Sequence, residues 1–375
     1  MSNNNRVDTE ADLGEVRHSI NVEKLTQYLT DRSPQHFVAP FVVKQFGYGQ
    51  SNPSYQLVDA KGRKYVLRKQ PPGALLAKSA HRVDREFHMI KALREATNVP
   101  VPRVLVLCQD KNVIGTDFYI MEFVSGRIFH SPAFPELSSQ GRKECWLSAI
   151  NTLAQLHRVD PSKIGLPEAF TKNMSSHYPR QVVTLSRIEE AQSNAVDKDS
   201  GEKVGHIPDF EYLTKWMKQN MPPSRVSIVH GDYKIDNLIF HPTENRVIAI
   251  LDWELCTIGH PLADLGNILQ PYTLPDFGKG QGSGGFKGTK LLPGVPSLEN
   301  QLQCYKQASG WDPQPYWSFA VVYSHLRLAV ITHGIAARLA RGQASSANAK
   351  RLAVVYPLLS GLAMEEISSD GTSKL

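Results

Sequence analysis

The chain has 375 residues and a formal net charge of +6, with 41% apolar and 21% charged residues. That is the make-up of an ordinary soluble globular protein large enough for two lobes, and the positive balance suits anionic ligands. No Lys/Arg tract interleaved with aromatics marks a nucleic-acid surface. The four cysteines (Cys108, Cys145, Cys256, Cys304) lack disulfide or zinc spacing, and apolar runs such as 247–251 are too short to span a bilayer.

Residues 1–20 are polar, with acids at Asp8, Glu10, Asp12 and Glu15. They read as a disordered tail and match neither a secretory nor a mitochondrial leader. A short helix is expected over 21–30. Strands are expected over 41–46 and 54–58, around a turn that carries Gly47, Gly49 and Ser51, with a third strand over 64–69. Val83, Phe87, Ile90 and Leu93 recur at helical spacing over 83–96. Two more strands follow, over 103–108 and 117–123. Residues 21–124 thus form a small β-rich lobe of five strands and one helix besides the leading one.

Residues 125–366 form a larger, mostly helical lobe. Helices are expected over 140–156, 178–191 and 210–220, the last stopped by Pro222 and Pro223. Residues 190–206 read as a mobile insert. A hairpin is expected with strands over 237–240 and 247–251. The Gly- and Pro-rich stretch 273–297 is either a cover over a site or a plain linker. Closing helices are expected over 316–341 and 350–366, before a flexible tail over 367–375. There are no internal repeats.

Chemistry concentrates on the hairpin. His230-Gly-Asp-Tyr-Lys-Ile-Asp-Asn237 places Asp232 five positions before Asn237, and Asp252 ends the second strand. In a kinase-like catalytic site the first Asp receives or orients the proton of an attacking hydroxyl. The Asn and the second Asp hold Mg²⁺ on the phosphates of ATP. Any one of these residues alone reads better as a turn cap, but the ordered trio does not. The expected fold class is therefore α+β, a two-lobed protein-kinase-like fold. Gly47, Gly49 and Ser51 stand where a loop covering the nucleotide should lie. Arg68 and Lys69 offer a cation for the phosphates, and strand alternation lets one of the two point inward. Glu86 is placed to pair with that cation. Glu122 and Val124, before the lobe junction, are placed to give backbone bonds to adenine.

These motifs resemble the aminoglycoside phosphotransferase-like family of small-molecule kinases. Within it, Tyr65-Val-Leu-Arg-Lys69, Asp84-Arg-Glu-Phe87, Gly126-Arg-Ile-Phe129 and the run from Ile250 to Asp264 resemble the amino-terminal kinase-like domain of acyl-CoA dehydrogenase family members 10 and 11. The resemblance covers about residues 20–340. It implies Mg-ATP-dependent phosphorylation of a hydroxyl, with a 4-hydroxyacyl-CoA as acceptor and an acyl-CoA dehydrogenase acting on the product. By position it makes Asp232 the base and Asn237 and Asp252 the metal ligands, with Arg68 where the family carries Lys. The dehydrogenase is expected to be a separate protein. Ser373-Lys374-Leu375 reads as a peroxisomal address recognised by an import receptor.

Three alternatives remain open. One is a kinase of another small alcohol, such as an amino alcohol, sugar or aminoglycoside. The second is a non-catalytic nucleotide-binding protein. The third is a protein kinase, disfavoured because Gly231 replaces the usual Arg and no Ala-Pro-Glu follows. His157, Arg127, Arg327 and His333 could meet the acyl or CoA part, although each reads better as an ordinary core or surface residue. Asp264 reads as an anchor of the catalytic loop and His230 as an anchor of the Asp252 strand.

Overall fold

The structure is a computed structural model that describes residues 6–8, 13–14, 20–47, 52–71, 82–172, 177–276, 285–343 and 349–369. It has the expected two lobes. The small lobe is an antiparallel sheet built from β2 (Leu13–Gly14), β3 (Val42–Phe46), β4 (Ser54–Val58), β5 (Lys64–Lys69), β6 (Val104–Cys108) and β7 (Phe118–Glu122), in the order β2-β3-β4-β5-β7-β6.

The side-chain alternation of these strands feeds two separate cores. Tyr65 and Leu67 of β5, with Phe118 and Ile120 of β7, pack on one face against Leu25 and Leu29 of α1 (Val22–Arg32). Val66, Tyr119 and Met121 point to the other face, where Met89, Ile90 and Leu93 of α2 (Val83–Ala96) join the core of the large lobe. α1 starts where Asn21 accepts a hydrogen bond from the Lys24 amide at 2.9 Å.

Within the leading segment, the described residues 6–8 and 13–14 form strands where disorder is expected. β1 (Arg6–Asp8) pairs with β8 (Arg127–Phe129), and β2 pairs with β3. Strand pairing supplies backbone partners that side-chain polarity does not foretell.

In the large lobe, α4 (Ser139–His157), α6 (His177–Ser193), α7 (Phe210–Gln219), α8 (Leu262–Ile268), α9 (Leu298–Ser309), α10 (Trp317–Ala340) and α12 (Tyr356–Ser369) surround two small sheets. The short helices α5 (Glu168–Thr171) and α11 (Ala349–Leu352) also belong to this lobe, while the short α3 (Lys111–Ile114) lies in the small lobe against α1. One sheet runs β1-β8-β10-β11, with β10 (Leu238–Phe240) and β11 (Val247–Ile250) as the expected hairpin. The other pairs β9 (Ser227–Val229) with β12 (Thr257–Gly259). α10 is the central helix, packed on α6, α7, α8 and α12. Contrary to the expectation from the short apolar runs, Gln314–Ala340 is long and apolar enough to cross a bilayer, but 72% of its most apolar window is buried inside the fold.

Three other expectations change. Residues 190–206 are not a loose insert. Val196 bridges to Lys203, the Lys198 amide donates to Ala340 at 2.9 Å, and the Ile207 amide donates to the buried Glu189 carboxylate at 3.0 Å. The helix expected over 350–366 is split into α11 and α12, because Pro357 has no amide to donate and belongs in the first turn of a new helix. α9 was not foreseen, although Ser297 caps its start and Gly310, at φ +73°, ends it. The centre of the 273–297 stretch, residues 277–284, lies outside the described residues, as does the tail after Ser369.

Candidate active site

The catalytic loop leaves β9 at His230 and is held from beneath by buried polar groups. Asp264, fully buried in α8, accepts the His230 amide at 2.6 Å and the Gly231 amide at 2.8 Å. Its second neighbour is His157, whose Nε2 lies 3.3 Å away and whose Nδ1 meets the Tyr305 hydroxyl at 2.7 Å. Burial alone would raise the Asp264 carboxyl, yet His157, His230 and the Gly231 amide together hold it below the ordinary carboxylate range. Gly231 has φ +88°, and a Cβ there would lie 2.5 Å from the Leu255 carbonyl oxygen, so this position admits only glycine. Arg327 of α10 donates to the Gly231 carbonyl.

His230 has one tautomer that suits its neighbours. Nε2 donates to the Leu251 carbonyl at 2.8 Å, and Nδ1 accepts the Asp232 amide at 3.2 Å. It therefore ties the catalytic loop to the strand before Asp252, the anchoring part expected of it.

The hairpin brings the trio together. Leu238 pairs with Ile250, and the Leu251 amide donates to the Asn237 carbonyl at 2.9 Å, so Asn237 and Asp252 emerge side by side from its open end. Asp252 has φ +64°, a left-handed conformation costly for most residues but tolerated by Asp. Asn237 Nδ2 donates to the Asp232 carbonyl oxygen at 2.8 Å and to Asp232 Oδ2 at 3.0 Å. Both contacts use the amide nitrogen, so Oδ1 is left as a hard oxygen donor. Asn237 Oδ1 and the Asp252 carboxylate are hard oxygen donors of the kind a magnesium ion takes.

On the small-lobe side, strand alternation decides between the two cations. Arg68 shares the α2 face with Val66, whereas Lys69 shares the α1 face with Tyr65 and Leu67. Arg68 Nε lies 2.9 Å from Glu86, and Nη2 meets Asp252 and, at 3.4 Å, Glu254. The clustered carboxylates outweigh burial and raise the Arg68 pKa further, so the guanidinium stays charged. Burial instead lowers that of Lys69. Glu86 is fully buried and also accepts Asn52 Nδ2 at 2.7 Å and the Tyr119 hydroxyl at 3.0 Å. Burial pushes its carboxyl up while Arg68 and these two hydrogen bonds pull against the rise.

Of the expected nucleotide contacts, Gly47 is exposed at the end of β3, while Gly49 and Ser51 lie outside the described residues. Glu122 ends β7 with its carboxylate on the Arg103 amide at 2.8 Å, and Val124 follows in the half-exposed junction. Between them Phe123 lies parallel to Phe46, ring centroids 6.4 Å apart.

The structure adds residues that the sequence reading did not single out. Lys234 Nζ is 3.4 Å from both Asp232 and Asp236. Burial works against its charge, but the two carboxylates more than offset this and raise its pKa. Burial raises that of Asp236. Asn267 donates to the Tyr233 carbonyl at 3.1 Å. The position of Lys234 inside the motif, between two acids, was the available signal. A pocket beside the loop is lined in equal number by apolar residues, among them Ile235, Ile268 and Leu274, and polar ones, among them His130, Lys234 and Asp236. The four residues offered for the acyl or CoA part have other duties. His157 and Arg327 hold the loop, Arg127 donates to the His241 and Glu244 carbonyls, and His333 meets Gln192 and the Gly205 carbonyl.

A positioned carboxylate, an oxygen donor set and a cross-cleft arginine suit transfer of a phosphoryl group. Residues 42–290 match the phosphotransferase enzyme family, and the chain belongs to that family. It is 38% identical over 353 residues to acyl-CoA dehydrogenase family member 11 of Rattus norvegicus, covering 91% of this chain and 42% of that protein. It is 38% identical over 351 residues to family member 10 of Mus musculus, covering 93% and 31%. The chain thus spans less than half the length of these curated relatives. A crystal structure from Ralstonia eutropha, classed provisionally as an aminoglycoside phosphotransferase, superposes with a TM-score of 0.78 at 32% identity, covering 94% of this chain and 99% of that one. Choline kinase of Cryptosporidium parvum shares the fold at a TM-score of 0.61 and 14% identity, covering 94% and 97%.

Proposed function

We propose that this phosphotransferase moves the γ-phosphoryl group of ATP to the hydroxyl of a 4-hydroxyacyl-CoA in fatty-acid breakdown. The observation that carries this reading is a half-apolar pocket lined by Lys234, whose ammonium is paired with Asp232. That pocket suits an acyl chain better than a polycationic sugar, because Asp236, the one acid among its lining residues, is already matched by Lys234. The names of the relatives support an acyl-CoA pathway, with a dehydrogenase acting after the transfer.

In this mechanism Asp232 accepts a hydrogen bond from the acceptor hydroxyl and takes its proton. The hydroxyl oxygen bonds to the γ-phosphorus as the bond to the bridging oxygen breaks, and ADP leaves. Asn237 fixes the Asp232 carboxylate through its amide. Lys234 sits where negative charge gathers on the transferring group. Arg68, steadied by Glu86, holds the nucleotide phosphates. Asn237 and Asp252 would hold magnesium, which supplies positive charge against the phosphates. Most of the rate gain comes from positioning and electrostatics.

The test is ATP turnover by the purified chain with Mg²⁺ and a 4-hydroxyacyl-CoA, beside choline and an aminoglycoside, with Asp232→Asn run in parallel. Formation of a phosphorylated acyl-CoA, lowered at least ~1000-fold in the variant with nucleotide affinity kept, is the expected result. Preferred transfer to choline or the aminoglycoside would reassign the acceptor. The ending Ser373-Lys374-Leu375 supports a peroxisomal setting. A fluorescent fusion preserving that ending and staying outside peroxisomes would sink this part alone.

A further inference from the structure

The transfer chemistry leaves one inter-lobe contact of α2 unused. Arg85, directly before Glu86, lays its guanidinium 4.0 Å from the centroid of the Phe170 ring and points Nη2 toward the Cys256 carbonyl at 3.5 Å. Phe170 belongs to α5, a single turn of the large lobe, and is 7% exposed. Cys256 is buried and closes the Trp253–Leu255 turn that begins at Asp252, its amide donating to the Trp253 carbonyl at 3.0 Å. One small-lobe side chain therefore touches both the turn that carries Asp252 and a separate support behind it.

The consequence follows from where α2 is otherwise fastened. It packs on β6 and β7 in its own lobe and on the Trp253–Leu255 turn across the cleft. Its setting against that turn decides whether Glu86 can hold Arg68 while Arg68 reaches Asp252. A displacement of about 1 Å is enough to spoil such an arrangement. Arginine is suited to this position because its planar guanidinium can stack on a ring and still donate at its edge, which an ammonium does poorly.

We propose that Arg85, seated on Phe170, is a positioning residue that latches α2 to the Asp252 turn and so sets Arg68 and Glu86 for nucleotide phosphates. The proposal rests on the nucleotide-binding part of the functional reading and is independent of the acceptor.

The experiment measures binding of Mg²⁺ and AMP-PNP by calorimetry to the full chain and to Arg85→Met, Phe170→Leu, the double variant and Arg85→Lys, with a thermal melt of each. Each single truncation is expected to weaken nucleotide affinity roughly five- to tenfold. The double variant should be no weaker than the weaker single one, because the two residues act as one contact. Arg85→Lys, the mildest change, should recover part of the loss, and its melt should match the parent. Unchanged affinity in the single variants, or losses that add fully in the double, would overturn the latch. A parent chain that binds no AMP-PNP would instead remove the nucleotide reading on which the latch depends.

Discussion

The two sides of the cleft are held by different physics. On the small-lobe side, Arg68 reaches Glu86 within its own lobe and Asp252 and Glu254 across the gap. The pairs with Asp252 and Glu254 are partly open to water, since the Asp252 side chain is 31% exposed, and incoming phosphates can replace them. On the large-lobe side, the loop hangs on hydrogen bonds from its own backbone to Asp264, which is fully buried. No ligand competes for those. One half of the site can adjust to its nucleotide, while the other presents Asp232 in a fixed pose.

The strongest way to break this contrast is Asp264→Ala. It leaves two buried amide donors and the His157 ring without their acceptor, a loss of about 3–5 kcal/mol of stability for a buried network of this kind. Chemical denaturation should show that drop, and transfer activity should fall with it. A variant that keeps its stability and loses only activity would move Asp264 from scaffold to chemistry. Arg68→Lys comes next. One ammonium cannot serve Glu86 and Asp252 together as the forked guanidinium does. Nucleotide affinity should fall roughly tenfold or more, with little change in unfolding midpoint because Glu86 keeps a charge partner. A collapse of stability would mean that Arg68 is as structural as Asp264.

How far the sequence revealed this depends on how local each signal is. Strands β4 and β5 and helix α2 were legible to the residue, since alternation and helical spacing are short-range patterns. The trio of Asp232, Asn237 and Asp252 was legible because a hairpin keeps its spacing in one short segment. Alternation also said that only one of Arg68 and Lys69 faces the cleft, but not which, because that requires knowing which face α2 covers. The supports of the loop were harder to see. Asp264, His157, Tyr305 and Arg327 come from four helices and meet only after folding. Asp264 was read as an anchor from its place after the second Asp, whereas nothing local in His157 or Arg327 pointed to the loop. Composition misled at 190–206, where backbone pairing and Glu189 order a polar segment.

The same contrast sets a pH dependence that belongs to the large lobe. Burial holds the folded-state pKa values of His177 and His325 down to about 4 and that of His260 to about 3, against an ordinary 6.5. Below pH ~6.5 the unfolded chain takes up protons at these rings while the folded chain does not. Stability is therefore fully present above that pH and is lost as pH falls toward 4. Each ring contributes up to roughly 1.4 kcal/mol per pH unit within that window. Asp264, whose carboxyl is held low, adds a loss of the same sign only at still lower pH, where the unfolded chain protonates this carboxyl and the folded chain does not yet. Urea unfolding at pH 7.5, 6 and 5 should show the decline. His325→Gln is expected to flatten it by about one proton, because the His325 ring is 1% exposed and its Nδ1 has no hydrogen-bond partner among the described residues. Stability that stays level from pH 7.5 to 5 would mean that these rings gain partners as they charge, and that the large lobe is less rigid than its hydrogen bonds imply.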